Sequence, residues 1–257
     1  MKKEICWNIT ARCNQGCKFC HRFLDIKDLS YEDNLKILSK LSKAGVTDIT
    51  WTGGEALLVE GIDTLLKKAS NLGIRNKIIT NGKLLTKERI DKLYKYLDSI
   101  TLSLDSIDND INEDIGRGYT HYEEIKNILD YIKEKNYDVK IRINSVIGKP
   151  NMNSYIDVIK FLNNYDIYSI RLFKFMPLRE LALVNRNKFD ITQEDYENIV
   201  SSVNNISNCD NIDTRTTIDM EEKYILILAN GDIVVTENGK DKKIGNALST
   251  SLEEIIK

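Results

Sequence analysis

Residues 30–51, SYEDNLKILSKLSKAGVTDITW, contain one complete change of backbone period. Ser30 suits a helix N-cap, the apolar residues after it fall at helical spacing, and Gly45 suits a helix end. VTDITW (46–51) then reads as a strand. The unit recurs on both sides. Upstream, EICWNIT (4–10) is strand-like. Downstream come a helix over 61–73, a strand over 75–80, a Thr-capped helix over 86–97 and a strand over 99–105. A helix over 121–135, a strand over 138–147 with period-2 alternation, a helix over 152–164, a strand over 168–175 and a helix over 192–206 follow. Six strand–helix repeats in order predict a parallel sheet with right-handed crossovers. They are too few for a closed eight-stranded barrel. The expected fold is therefore α/β, a partial (β/α)6 TIM-type barrel with a short C-terminal β-hairpin extension. That hairpin is KYILILANGDIVVT (223–236), turning at Asn230-Gly231. The expected division is a core over 1–210 and an extension over 211–257, hairpin and short helix, covering the barrel.

Composition narrows the function classes. The chain has 257 residues, 42% hydrophobic and 30% charged, as a globular domain has. The net charge of −2 gives no general attraction to nucleic acid or membrane, so an anionic ligand must be held by local cations. No apolar run approaches the ~18 residues of a membrane span. MKKEICWNIT at the N-terminus has no apolar secretory core. Five cysteines, three of them close together, make a poor disulfide framework and point to a reducing cytoplasm.

In βα barrels the chemistry gathers at the C-terminal ends of the strands. The unusual residues of this chain all fall there: the cysteine loop CNQGCKFC (13–20) after the first strand, TGGE (52–55) after the second, TNG (80–82) after the third, SLD (103–105) ending the fourth, and INS (143–145) in the fifth. A structural zinc site closes with four ligands, usually two spaced pairs. Here Cys6 and Cys209 are isolated, and His21 directly follows Cys20. A redox C-x-x-C pair leaves Cys13 unexplained. A [4Fe–4S] cluster normally takes four thiolates. Bound by Cys13, Cys17 and Cys20 alone, it keeps one iron open for an outside ligand.

The C-x-x-x-C-x-x-C loop followed by Gly-Gly-Glu resembles the radical S-adenosylmethionine (SAM) superfamily, over roughly residues 4–206. The resemblance implies that the three cysteines bind three irons and that SAM chelates the fourth. One electron then cleaves SAM to methionine and a 5′-deoxyadenosyl radical, which abstracts hydrogen from a substrate. It further implies SAM contacts from Phe19, Gly53, Gly54, Glu55, Asn81, Ser103, Asp105, Arg117 and Asn144, with Arg117 suited to the SAM carboxylate. An electron donor such as flavodoxin or ferredoxin is implied as a partner. No second cysteine cluster follows the core, so an auxiliary iron–sulfur domain is not expected.

NEDIGRG (112–118), IRINSVI (141–147) and MEEKYILI (220–227) are similar, in the same order, to stretches of the viperin-like branch, which dehydrates ribonucleoside triphosphates. That likeness places Arg142 and Arg171 at the substrate and makes Tyr224 a hydrogen donor to a radical intermediate. Lys140, Arg142 and Asn144 share one face of the fifth strand; Arg171 and Phe173 share a face of the sixth, with Lys174 opposite and Arg179 beyond. Arg142, Arg171, Lys174 and Arg179 are thus candidate contacts to a phosphorylated or carboxylate substrate. Phe173, Ala56 and His21 depart from the branch's pattern. The tail IGNALSTSLEEI (244–255) resembles that of peptide-modifying relatives instead, so a peptide or natural-product maturase is the alternative. Cys20-His21 is also similar to a phrase of glycyl-radical-enzyme activases, but this chain lacks the Asn-Pro that would follow the His, and INS (143–145) speaks against that reading. A non-catalytic iron–sulfur or zinc module would not cleave SAM.

Overall fold

A computed structural model of the chain describes residues 3–220, 225–237 and 240–255. Its strands are β1 (Glu4–Asn8), β2 (Asp48–Thr52), β3 (Arg75–Thr80), β4 (Ser99–Ser103), β5 (Lys140–Ile147), β6 (Ser169–Lys174), β7 (Ile212–Arg215), β8 (Ile225–Ile227), β9 (Asp232–Glu237) and β10 (Lys240–Asn246). Its helices are α1 (Tyr31–Lys43), α2 (Ile62–Asn71), α3 (Lys87–Leu93), α4 (Asn109–Ile115), α5 (His121–Lys135), α6 (Tyr155–Leu162), α7 (Glu180–Val184), α8 (Arg186–Phe189), α9 (Gln193–Ile206) and α10 (Leu252–Ile255).

The strands form one sheet in the order β10-β9-β8-β1-β2-β3-β4-β5-β6-β7. The run from β8 through β1 to β7 is parallel, while β9 and β10 are antiparallel. The six expected repeats are present, and the turn at Asn230-Gly231 joins β8 to β9 as an antiparallel hairpin. The hairpin continues the sheet beside β1. Two strands lie beyond the sequence reading, β7 and β10, one at each free edge. Among the described residues these edges do not pair, so the barrel has an open side.

Side-chain alternation builds the two faces. Ile5, Trp7 and Ile9, with Ile49 and Trp51, are buried against the helices, where the two indoles stack at 5.0 Å. On β5, Ile141, Ile143 and Ile147 go to that outer core; Arg142, Asn144 and Val146 take the inner face. α1 begins as expected: Ser30 accepts from the Asp33 backbone N–H. The helix expected over 86–97 is α-helical only to Leu93, and a 3₁₀ turn carries it to Tyr96. The lower interior is charged: Lys77 lies 2.8 Å from Glu4 and 3.1 Å from Asp48, which Arg75 also reaches at 2.8 Å. Burial opposes ionisation of Asp48, but hydrogen bonds from Arg75, Thr47 and Lys77 outweigh it and bring its carboxyl down to about 2. No described helix is long and apolar enough to cross a membrane.

Candidate active site

The loop after β1 is held from several directions. Asp28 accepts from the Thr10 hydroxyl at 2.6 Å, the Ala11 N–H at 3.1 Å and Arg12 Nε at 2.8 Å. From the end of β2, Gly54 N–H donates to Thr10 O at 2.7 Å and Glu55 N–H to Arg12 O at 2.8 Å. This approach explains the two glycines. A Cβ on Gly53 would stand 2.3 Å from Thr10 O, and one on Gly54 2.0 Å from Arg12 O. Only chains without a side chain come so near. At the far end of the loop, Gly16 and Lys18 N–H donate to the carbonyls of Gly116 and Ile115, below which α4 ends.

Cys13, Cys17 and Cys20 thereby line one wall of a cavity of about 330 Å³ at the C-terminal ends of the strands. Burial pushes the Cys17 thiol up to about 11, against the pull of the Arg117 charge. Cys13 is raised for the same reason. No three described His, Cys, Asp or Glu side chains converge on a point as single-ion ligands do. His21, also in the wall, is pushed down to about 4 by burial and by the Arg179 charge. Cys6, on the inner face of β1, lies in the wall too, its thiol pushed up to about 12 by burial.

Of the residues expected around SAM, Phe19, Gly53, Gly54, Asn81, Ser103, Arg117 and Asn144 line this cavity. Glu55 and Asp105 stand behind it and hold others in place. The Glu55 carboxylate, 1% exposed, accepts from the backbone N–H groups of Leu57 (3.0 Å) and Asn81 (2.8 Å) and from the Thr80 hydroxyl (2.9 Å). It fixes the end of β3, and through it Asn81, whose amide donates to Asn14 at 2.7 Å. Asp105, fully buried, accepts from Arg117 Nε at 2.7 Å and Val146 N–H at 2.7 Å. The Arg117 guanidinium also lies over the Phe19 ring, 5.1 Å from its centre.

The expected substrate cations divide. Lys174 and Arg179 line the cavity. Lys174, read as facing away from Arg171, sits where β6 ends and reaches the wall with Phe173. Arg179 is engaged in three bonds to Asp241, at 2.9 Å, 2.7 Å and 2.6 Å, in one to His21 O at 3.1 Å, and with the Phe23 ring at 4.2 Å. Arg142 and Arg171 turn inward but do not line the cavity. Arg142 donates to the Ser169 hydroxyl at 3.0 Å and lies over Tyr168; Arg171 pairs with Asp213 at 2.7 Å. Tyr224 lies outside the described residues.

The sequence reading passes over Arg22, which lines the cavity with a buried Nε that has no hydrogen-bond partner. Asn8, Thr52 and Thr236 are also in the wall without having been singled out. Asn8 and Thr52 share the inner-face period of β1 and β2, a signal present in the sequence. Thr236 depends on the hairpin folding back beside β1.

A family model for the radical SAM superfamily matches residues 7–162. The chain is 33% identical over 248 residues to an S-adenosylmethionine-dependent nucleotide dehydratase of Flammeovirga pacifica, covering 92% of this chain and 83% of that one. It is 28% identical over 272 residues to one of Lacinutrix mariniflava, covering 99% of this chain and 55% of the relative, little more than half. Among solved structures, Streptococcus suis SuiB bound to its precursor peptide SuiA superposes with a TM-score of 0.82 at 20% identity. That match covers 99% of this chain and 64% of SuiB, and shows a shared fold.

Proposed function

The chain belongs to the radical SAM superfamily, and from that premise we propose a single-cluster enzyme that acts on a phosphorylated nucleotide, as a nucleotide dehydratase does. Cys13, Cys17 and Cys20 would hold a [4Fe–4S] cluster. The donor set suits it: three thiols line one wall of the same cavity, and thiolates are the usual ligands of such clusters. The chemistry such a cluster supplies is one electron for reductive cleavage of SAM, yielding a 5′-deoxyadenosyl radical that takes hydrogen from a substrate carbon.

The chain's own side chains bind and orient. Asn81, Ser103 and Asn144 offer polar groups to SAM, and Arg117 a cation to its carboxylate. Phe19, Ile79, Val146 and Met176 supply apolar surface that keeps water from a reactive carbon radical.

The observation that carries the substrate reading is the charge of the wall. Arg22, Arg117, Lys174 and Arg179 line the cavity, and no described carboxylate does. Arg117 and Arg179 are neutralised from behind by Asp105 and Asp241. Arg22 and Lys174 form no ion pair with a described acid; Lys174 bonds the Gln193 amide at 3.2 Å. Two cations without an ion-pair partner among the described residues, in a mostly apolar cavity, favour a substrate with several negative charges. The relatives named as nucleotide dehydratases agree with a nucleotide.

The test is anaerobic reconstitution with iron and sulfide, followed by 5′-deoxyadenosine measurement with each ribonucleoside triphosphate. One triphosphate should stimulate cleavage. Arg22→Gln and Lys174→Gln should each raise its KM by roughly tenfold, the loss of one charge-assisted contact, with cleavage of SAM alone unchanged. Stimulation by peptides and by no nucleotide would overturn the reading.

A further inference from the structure

Gln15 lies between the first two cysteines yet is only 8% exposed. Its side chain meets His121, the fully buried first residue of α5. His121 Nε2 is 2.8 Å from the Ser103 carbonyl oxygen, which can only accept, so Nε2 carries the proton and Nδ1 is an acceptor. Gln15 Nε2 is 3.3 Å from Nδ1. The Gln15 NH2 therefore faces His121, and its carbonyl oxygen faces the other way. That oxygen accepts from Arg117 Nη1 at 3.2 Å and lies 3.7 Å from Cys17 Sγ. Each group in this chain has its donor and acceptor ends set by the one before it, back to a strand-end carbonyl that cannot change. The opposite imidazole tautomer would set a lone pair against the Ser103 carbonyl and an N–H against the Gln15 NH2.

We propose that Gln15 and His121 are positioning residues that aim the Arg117 guanidinium and register Cys17 beside it, an inference that rests on the reading of Arg117 as a SAM contact. Asp105 holds Arg117 by Nε alone, about which the guanidinium can still tilt. Gln15 supplies the second point, on Nη1. Nη2 remains the guanidinium nitrogen with no described protein partner, at the cavity wall. The same amide ties the spacer between Cys13 and Cys17 to α5, a rigid element 106 residues away.

Gln15→Leu removes both bonds at a loop position that leaves the core intact, and His121→Phe removes the acceptor. Side-chain ¹⁵N spectra of the full chain, before cluster loading, should show His121 neutral with its proton on Nε2. They should also show slowed rotation of the Arg117 guanidinium that Gln15→Leu abolishes in a chain that still folds, as its backbone amide spectrum reports. After reconstitution, with binding normalised to the iron content of each preparation, Gln15→Leu should bind SAM roughly tenfold more weakly, as loss of one hydrogen bond to a charged group implies. In an Arg117→Gln background the same change should add nothing. An Arg117 signal unaltered by Gln15→Leu, a His121 proton on Nδ1, or fully additive losses would overturn the proposal. A wild-type enzyme that gives the expected spectra and binds no SAM would support the positioning and refute the reading of the cavity.

Discussion

His121 and Gly54 show what single positions contribute beneath the chemistry. Burial, with the Arg117 charge adding to it, pushes His121 down to about 3. Between pH 6.5 and about 3 the unfolded chain carries this proton and the folded chain does not. Unfolding free energy therefore rises with pH across that window, by about 1.4 kcal/mol per unit for one proton at full effect. Urea unfolding of the cluster-free chain at pH 7 and pH 5 should show the loss. His121→Asn should reduce the difference between the two pH values, leaving the share due to His21, which is displaced in the same direction. At Gly54 the demand is steric. Alanine would bring a methyl group to 2.0 Å from Arg12 O, a rigid backbone atom, so the cysteine loop must move. Gly54→Ala should fold but retain less than half the iron of the wild type after reconstitution, measured by colorimetric iron assay. The cysteines and the glycine pair stood out by their spacing and Arg117 through the resemblance, and all of them line one cavity. Gln15 and His121 were not, because a glutamine in a loop and a histidine in a helix carry no local sign of each other.

Helices and strands were legible where one face is buried and the other is not. The six repeats have that contrast, and β5 displays it without interruption. β10 lacks it: most of KDKKIGN is exposed, so no apolar alternation marks it. β7 has only four residues, and α7 and α8 are too short for a helical period to emerge. Arg142 and Arg171 make the related point that period-2 reasoning gives a residue's face but neither its depth nor its partner. Arg179 joins three of these elements, the loop after β6, the backbone of His21 and β10 through Asp241. It therefore spans the open side of the barrel. The pair is partly exposed, 20% and 24%, so its worth to global stability is small, under about 1 kcal/mol. Its effect should be local. Asp241→Asn should leave the melting temperature within about 2 °C and speed amide hydrogen exchange in β10 and residues 21–23, measured by mass spectrometry.

At the scale of the molecule, function follows from what the open barrel does with charge. Of the inner-face cations below the cavity, Lys77 and Arg171 are matched by Asp48, Glu4 and Asp213, while Arg142 has the Ser169 hydroxyl. Those at the top are matched only in part. Arg142 apart, the inner-face cations without an ion-pair partner among the described residues, Arg22 and Lys174, lie in the cavity that the cysteines line. Strand order and rim position could be read from the sequence because they depend on local period and chain order. The balance of charge could not, since it is decided by pairs distant in sequence, such as Arg171 with Asp213 and Arg179 with Asp241.

A sheet that stops short of closure keeps two margins whose backbone groups could accept a strand from another molecule. β7 offers a short margin. β10 offers a longer one, and there Lys240, Lys242 and Lys243 crowd within four residues. Lys242 and Lys243 are neutralised along their own hairpin by Glu237 and Asp232, yet an incoming copy of the same strand would have to bury and align a second set of ammonium groups against the first. Like charges at that spacing discourage edge-to-edge association. The poorly patterned strand that sequence reasoning overlooks is in this sense the molecule's guard against fibril-like stacking, which lets the barrel stay open for its ligands.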